Sequence, residues 1–178
     1  DDLSAETREF AADLFDNELL DVLSKEGKAP GGYCTSLPSY KVPFIFSNFN
    51  GTSGDVDVLT HEAGHAFESY LATRTQPLTD LASSTSEINE IHSMTMEHFA
   101  YPWMELFFGD QCEKYLYSHL VGALSVIPYM VTVDEYLRRV YEQNRQVSQT
   151  FSAKILETGA AALKMNEALA AEKYRATG

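Results

Sequence analysis

Residues 61–65 read His-Glu-Ala-Gly-His, and this pentapeptide constrains the fold more than any other part of the chain. On an α-helix, positions i and i+4 lie on the same face, so both imidazoles can reach one ion. Apolar residues recur close to every 3.6 positions across residues 55–73, which predicts that helix. His61 and His65 are therefore predicted metal ligands, and Glu62 is predicted to face a water molecule in the same site.

A third ligand has to come from another element. The next polar stretch begins with Ser and Thr before Glu, which is typical of a capped helix start. Glu87, Glu90 and Glu97 follow at spacings of three and seven, near one stripe of that helix. By geometry, Glu87 and Glu90 are both candidates for the third ligand. His92 and His98 lie off the stripe, and we expect them to be ordinary histidines.

Zinc with two His ligands, one carboxylate and one open position is typical of a hydrolytic site. A zinc-bound His usually donates its other N–H to a carboxylate or carbonyl. Asp57 lies one helical turn before His61, and we predict that it orients this ring. The sequence thus predicts a metallopeptidase with one Zn²⁺ per chain and Glu62 as its general base.

Longer stretches around these residues resemble the catalytic core of oligoendopeptidase F, in the thimet-oligopeptidase family of zinc peptidases. The resemblance covers about residues 8–143 and is carried by residues 27–34 (GKAPGGYC), 43–52 (PFIFSNFNGT), 55–67 (DVDVLTHEAGHAF), 90–97 (EIHSMTME) and 102–105 (PWME). In this family the third ligand falls 25 residues after the second His, so the resemblance selects Glu90 over Glu87.

The resemblance also implies how a substrate would bind. Residues 44–50 are similar to the family's edge strand beside the cleft, with which an extended peptide can pair through its main chain. The substrate-binding residues implied are Phe46, Ser47, Asn48 and Phe49. The Gly-rich turn at residues 31–33 is similar to a loop near that strand, where the lack of side chains allows close approach. The substrates implied are short unstructured peptides.

The sequence also departs from the family pattern. Family members are several times longer, with an N-terminal helical lobe and a later His followed by Pro-Phe-Tyr-Tyr, and neither is found here. We therefore expect a truncated oligopeptidase core. It would act alone as a peptidase, bind zinc without useful catalysis, or be completed by a second copy or a partner chain.

The predicted fold class is mainly α with a small β-sheet, in which a zincin-like HExxH helix lies beside a glutamate helix. Residues 1–143 are predicted to form the metallopeptidase core, and residues 144–178 a helical segment of the same domain. The predicted helices cover residues 4–24, 55–73, 78–108, 110–126, 133–145 and 148–174, and the predicted strands residues 33–37 and 43–49.

Composition and charge disfavour some classes of binding partner. A formal charge of −13 disfavours nucleic acid and anionic membranes as binding partners. We expect no apolar run approaching the roughly 20 residues that span a bilayer. Cys34 and Cys112 are too few and too far apart for a disulfide framework, so we predict reduced thiols and a cytoplasmic location.

Overall fold

The computed structural model describes residues 3–143 and residue 157, and it divides the chain into two compact units. The units are Asp1–Trp103 and Met104–Gly178. The predicted organisation, a core over residues 1–143 and a tail in the same domain, stays a prediction. The main hydrophobic cluster draws on residues 10–70, within the first unit. The helix predicted over residues 148–174 lies outside the described residues.

The first unit contains three helices and three strands. They are α1 (Ala5–Asp16), β1 (Leu20–Asp21), β2 (Tyr33–Leu37), β3 (Val42–Phe46), α2 (Gly54–Thr75) and α3 (Ser86–Phe99), with 3₁₀ turns at Thr79–Leu81 and Tyr101–Trp103. The mainly helical fold with a small sheet is confirmed. The continuous helix predicted over residues 78–108 is wrong, because 3₁₀ turns and loops interrupt it on both sides of α3.

Helix α1 begins as its sequence predicts and ends sooner. Ser4 Oγ accepts from Thr7 N at 3.1 Å, while Thr7 Oγ1 accepts from Ser4 N at 3.0 Å, which completes a capping box. The predicted helix to residue 24 stops at Asp16. Glu18 then adopts a φ of 53°, which lies outside the right-handed helical region. The chain then continues into β1.

The sheet has the strand order β1-β3-β2, so β3 is its central strand. β1 pairs with β3 in parallel, and β2 pairs with it antiparallel. Ile45 N donates to Leu19 O at 3.0 Å and Ser47 N donates to Asp21 O at 2.9 Å. The edge strand implied at residues 44–50 is therefore wrong, because the main chain of β3 already has partners on both sides.

Helix α2 is the centre of the first unit. It contacts β2, β3, α1 and α3. The buried cluster beneath it combines residues from α1, β3 and α2, namely Phe10, Leu14, Ile45, Ala66 and Tyr70. Residues from three elements thus bury a common apolar surface, which holds α2 in place against the sheet.

The second unit contains α4 (Glu105–Phe108), a 3₁₀ turn at Gly109–Gln111 and the long helix α5 (Cys112–Gln143). The two helices predicted over residues 110–126 and 133–145 are one helix, with Pro128 inside it. At the start of α5 the rings of Phe108 and Tyr115 stack with centroids 4.0 Å apart.

Helix α5 also corrects an expectation about membranes. The stretch Glu105–Glu142 contains an 18-residue window with a mean hydropathy of 1.5, none of it buried. By length and composition alone this stretch could cross a bilayer, a test that core helices of soluble proteins also pass. The expectation that no run is apolar enough is wrong, because residues 115–133 contain no Asp, Glu, Lys or Arg.

Candidate metal centre

Two facing helices bring three ligand side chains together. His61 and His65 lie one turn apart on α2, and Glu90 lies in the second turn of α3. One Nε2 or carboxylate oxygen from each of the three lies within 4.8 Å of the others. This is the one such group in the described part of the chain, and it does not include Glu87.

The separations between these atoms suit zinc. Bonds of about 2.0–2.2 Å at tetrahedral angles place donor atoms roughly 3.3–3.6 Å apart. Glu90 Oε2 lies 3.1 Å from His61 Nε2, and Glu90 Oε1 lies 3.8 Å from His65 Nε2. The two imidazole rings are nearly perpendicular, at 81°. The three side chains are of the types that bind zinc, and they would hold one such ion between α2 and α3.

Glu97 lies beside the ring of His61. Glu97 Oε1 lies 2.5 Å from His61 Nδ1, and this hydrogen bond is the largest cause of a raised pKa of His61. An Nδ1–H donated to Glu97 leaves the Nε2 lone pair free for a metal. The orienting role of Asp57 stays a prediction, while the structure places Glu97 at Nδ1 of His61. Asp57 lies near Tyr101, whose pKa is raised first by burial and then by the charges of Glu97 and Asp57.

The other two ligands also have neighbours on α3. His65 Nδ1 lies 3.4 Å from His92 Nε2, so His92 faces a ligand rather than being an ordinary histidine. Burial lowers the pKa of His65, which favours the neutral imidazole that a metal requires. Ser93 Oγ donates to Glu90 Oε2 at 2.9 Å. Each ligand thus has an orienting contact on α3.

Gly64 allows the two helices to approach this closely. A Cβ at Gly64 would lie 2.6 Å from Ser93 Cα, 2.8 Å from His92 O and 3.0 Å from Met96 Cβ. Two of these three atoms are backbone, which cannot rotate away. The glycine inside the motif is therefore required by the α2–α3 contact that brings Glu90 to the histidines.

Glu62 lies near His61 and Glu90 and also accepts a hydrogen bond from the backbone of Cys34 in β2. It is buried, and this burial raises the pKa of its carboxyl against the opposing effects of His61 and the Cys34 backbone N–H. The backbone of β2 thus lies beside the predicted general base. Burial also raises the pKa of the Cys34 thiol to about 12, so the thiol stays protonated and is a poor ligand or nucleophile.

Close approach between α2 and the chain before β2 depends on a second glycine. A Cβ at Gly32 would lie 2.5 Å from Val58 Cγ1. The expectation that this Gly-rich turn permits close approach is confirmed at Gly32, and the turn carries β2 to the side of Glu62.

The four predicted substrate-binding residues have other contacts. Phe46 stacks on Tyr33 with ring centroids 5.0 Å apart, and Ser47 is buried. Asn48 Nδ2 donates to Lys28 O at 3.3 Å, and Phe49 N donates to Val22 O at 3.0 Å. These contacts hold β3 and the following loop inside the fold, and the substrate-binding role of the four residues stays a prediction.

Sequence reasoning missed the contacts of Glu97 and His92. The signal for Glu97 was present, because a residue seven positions after Glu90 lies on the same helix face. Nothing in the local pattern pairs His92 with His65, since that contact depends on how α3 crosses α2.

The comparisons with known proteins agree with this geometry. The model of peptidase family M3 matches residues 6–124. A solved structure described as an oligoendopeptidase F from Bacillus anthracis strain Ames is 52% identical, with a TM-score of 0.79 over 90% of this chain and 29% of that chain. A second oligoendopeptidase F structure is 49% identical, with a TM-score of 0.78 over 91% of this chain and 28% of that chain.

A third structure, PZ peptidase A solved with an inhibitor, is 54% identical, with a TM-score of 0.72 over 78% of this chain and 24% of that chain. This chain therefore spans less than a third of the length of these relatives. No curated protein sequence matches it.

Proposed function

This chain belongs to peptidase family M3, and on that premise we propose that it is a zinc metallopeptidase that hydrolyses peptide bonds in short unstructured peptides. The observation that carries the proposal is the set of His61, His65 and Glu90, whose donor atoms meet within 4.8 Å beside the buried Glu62. Zinc held by these ligands would polarise the scissile carbonyl and lower the pKa of a water molecule.

The side chains around the ion would do the rest of the chemistry. Glu62, whose pKa is raised by burial, accepts the proton of the attacking water and passes it to the leaving amine. Glu97 holds His61 in the tautomer that presents Nε2, through the 2.5 Å contact at Nδ1. No covalent intermediate with the protein is required.

The open edge of β2 is the place where we propose the peptide binds. Ile45 N donates to Leu19 O on the β1 side, so its partner Cys34 belongs to a pair without hydrogen bonds between β2 and β3. The N–H and C=O of Cys34 therefore face away from β3, and the N–H contacts Glu62, while the N–H and C=O of Ser36 two residues on face the same way. An extended peptide adding to this edge would pass beside Glu62.

Replacement of Glu62 tests the proposal. The assay is hydrolysis of a mixed pool of quenched short peptides by zinc-loaded protein, by Glu62→Gln and by the control Glu87→Gln, which alters a carboxylate outside the ligand group. General acid–base catalysis contributes about 10²–10⁴-fold. We expect Glu62→Gln to lose at least that much activity with zinc still bound and Glu87→Gln to stay active. Equal turnover by Glu62→Gln and the wild type would refute the role of Glu62.

A second candidate function follows from the share of the relatives that this chain spans, 24–29%. A zinc-binding core that needs another polypeptide for activity would bind zinc at one ion per chain and cleave nothing alone. A second copy supplying the missing wall would make specific activity rise with protein concentration. A constant specific activity over a wide concentration range would exclude that form of the alternative. The cytoplasmic location stays a prediction.

A further inference from the structure

A polar cavity lies directly beside the metal ligands. It has a volume of about 290 Å³ and lies between β2, α2 and residues 82–90. His65 and Glu90 form part of its wall, so it is continuous with the metal centre. Its size is just below the range of about 300–1,000 Å³ typical of pockets for whole small molecules, which suits one side chain of a larger ligand.

Two buried side-chain oxygens without partners belong to residues of the cavity wall. Among the described residues, Ser36 Oγ and Ser69 Oγ are the buried side-chain oxygens that make no hydrogen bond, and both residues line this cavity. Ser69 is 8% exposed. Buried polar groups in folded proteins nearly always have a partner, so a ligand or a water molecule in the cavity would satisfy either hydroxyl if its side chain rotated towards the cavity.

One carboxylate in the wall does not contact the metal ligands. Glu68 lies on α2, three residues after His65, is partly buried, and has no hydrogen bond or ion pair within the described ranges. The basic group that acts on it electrostatically is His92, whose Nε2 already faces His65 Nδ1 at 3.4 Å. The cavity wall contains no Lys or Arg. An uncompensated carboxylate in a wall without basic side chains favours a cationic group that donates hydrogen bonds.

We propose that this cavity is a specificity subsite for a Lys or Arg side chain of the substrate residue next to the scissile bond. The cationic group would donate to the Glu68 carboxylate, and the hydroxyls of Ser36 and Ser69 would accept from it after rotating towards the cavity. Ser36 belongs to the edge of β2 on which we place the peptide, so a bound chain would pass over the cavity mouth. The inference rests on the proposed peptidase function and names the substrate class for that site.

The experiment compares peptides that differ only at one residue flanking the scissile bond, which is Lys, Gln or Glu, in two series with that residue on either side of the bond. The kcat/KM is measured for the wild type, Glu68→Gln, Glu68→Lys and the control Glu87→Gln. We expect the wild type and Glu87→Gln to prefer the Lys peptide over the Gln peptide about tenfold, because charge-assisted hydrogen bonds are among the strong ones. Glu68→Gln should abolish this preference, and Glu68→Lys should shift it towards the Glu peptide.

Salt provides a check that needs no variant. A preference built on charge should decrease between low salt and about 1 M salt, where the Debye length is about 3 Å. Cleavage of all three peptides at equal rates in both series, or a Lys preference that Glu68→Gln leaves unchanged, would overturn the subsite while leaving the peptidase function standing.

Failure of the peptidase function would look different. In that case the zinc-loaded protein cleaves none of the peptides, and the subsite is judged from binding alone, as Kd by fluorescence anisotropy with zinc-loaded Glu62→Gln. Tighter binding of the Lys peptide that disappears in the Glu62→Gln, Glu68→Gln double variant would support the subsite. Equal Kd values for the Lys and Gln peptides would overturn it.

Discussion

Replacing Gly64 with alanine tests whether the spacing of two helices controls the metal centre. The new Cβ would lie 2.6 Å from Ser93 Cα and 2.8 Å from His92 O, whereas ordinary contacts begin near 3.4 Å. Both atoms are backbone, so α2 and α3 must separate by about 0.8 Å or distort locally. Glu90 is on α3 and both histidines are on α2. Separating the two helices would therefore move Glu90 away from the histidines.

The expected magnitude follows from the metal geometry. Metal–ligand distances tolerate only about ±0.2 Å, so a shift of about 0.8 Å is several times too large. We expect zinc affinity to fall at least as much as when an outer-shell partner is lost, about 10–100-fold. Overpacking costs about 1–3 kcal/mol, and the better helix propensity of alanine returns about 1 kcal/mol. The net loss of folding stability should therefore be about 0–2 kcal/mol.

The assay is zinc affinity by competition with a chelator, together with thermal unfolding of the metal-free protein. Gly122→Ala is the matched control, because Gly122 lies inside α5 and a Cβ there meets nothing within 4 Å. That control should keep wild-type zinc affinity and be equally or slightly more stable. A Gly64→Ala protein with unchanged zinc Kd would refute the argument that close packing at this position sets the ligand geometry.

Three further outcomes are expected. Glu97→Gln should weaken zinc binding about 10–100-fold by removing the charged partner of His61, and an unchanged Kd would contradict the orienting role. Zinc at 100 times its Kd should stabilise the fold by about 2.7 kcal/mol, so chelation should lower the Tm and zinc should restore it; a Tm indifferent to zinc would exclude binding to the folded state. In metal-free protein the folded-state pKa of His61 is raised above 6.5, so the His61–Glu97 contribution is fully present below pH 6.5 and is lost as the pH rises through the raised pKa. The stability difference between wild type and Glu97→Gln should therefore shrink as the pH rises above 6.5, as measured by denaturant unfolding, and a constant difference would contradict the raised pKa.

The sequence by itself determined the features that depend on local periodicity. The spacing of His61 and His65 requires one helix face, and residues 55–73 have the period of that helix, which the structure extends to Gly54–Thr75. The strand at residues 33–37 and the cap at Ser4 are local patterns of the same kind. Such patterns are read within a few residues, so no knowledge of the rest of the fold is needed.

The tertiary structure decided which elements meet. Strand order places β3 in the centre and leaves β2 at the open edge, and no alternation pattern within a strand reveals that order. Because α3 crosses α2, the ring of His61 contacts Glu97, although Asp57 is closer to His61 in sequence. The cavity around Glu68 likewise exists only because β2, α2 and the loop before α3 converge. Contacts of this kind join residues far apart in the chain, and their distances depend on helix spacing and sheet topology, which local sequence does not encode.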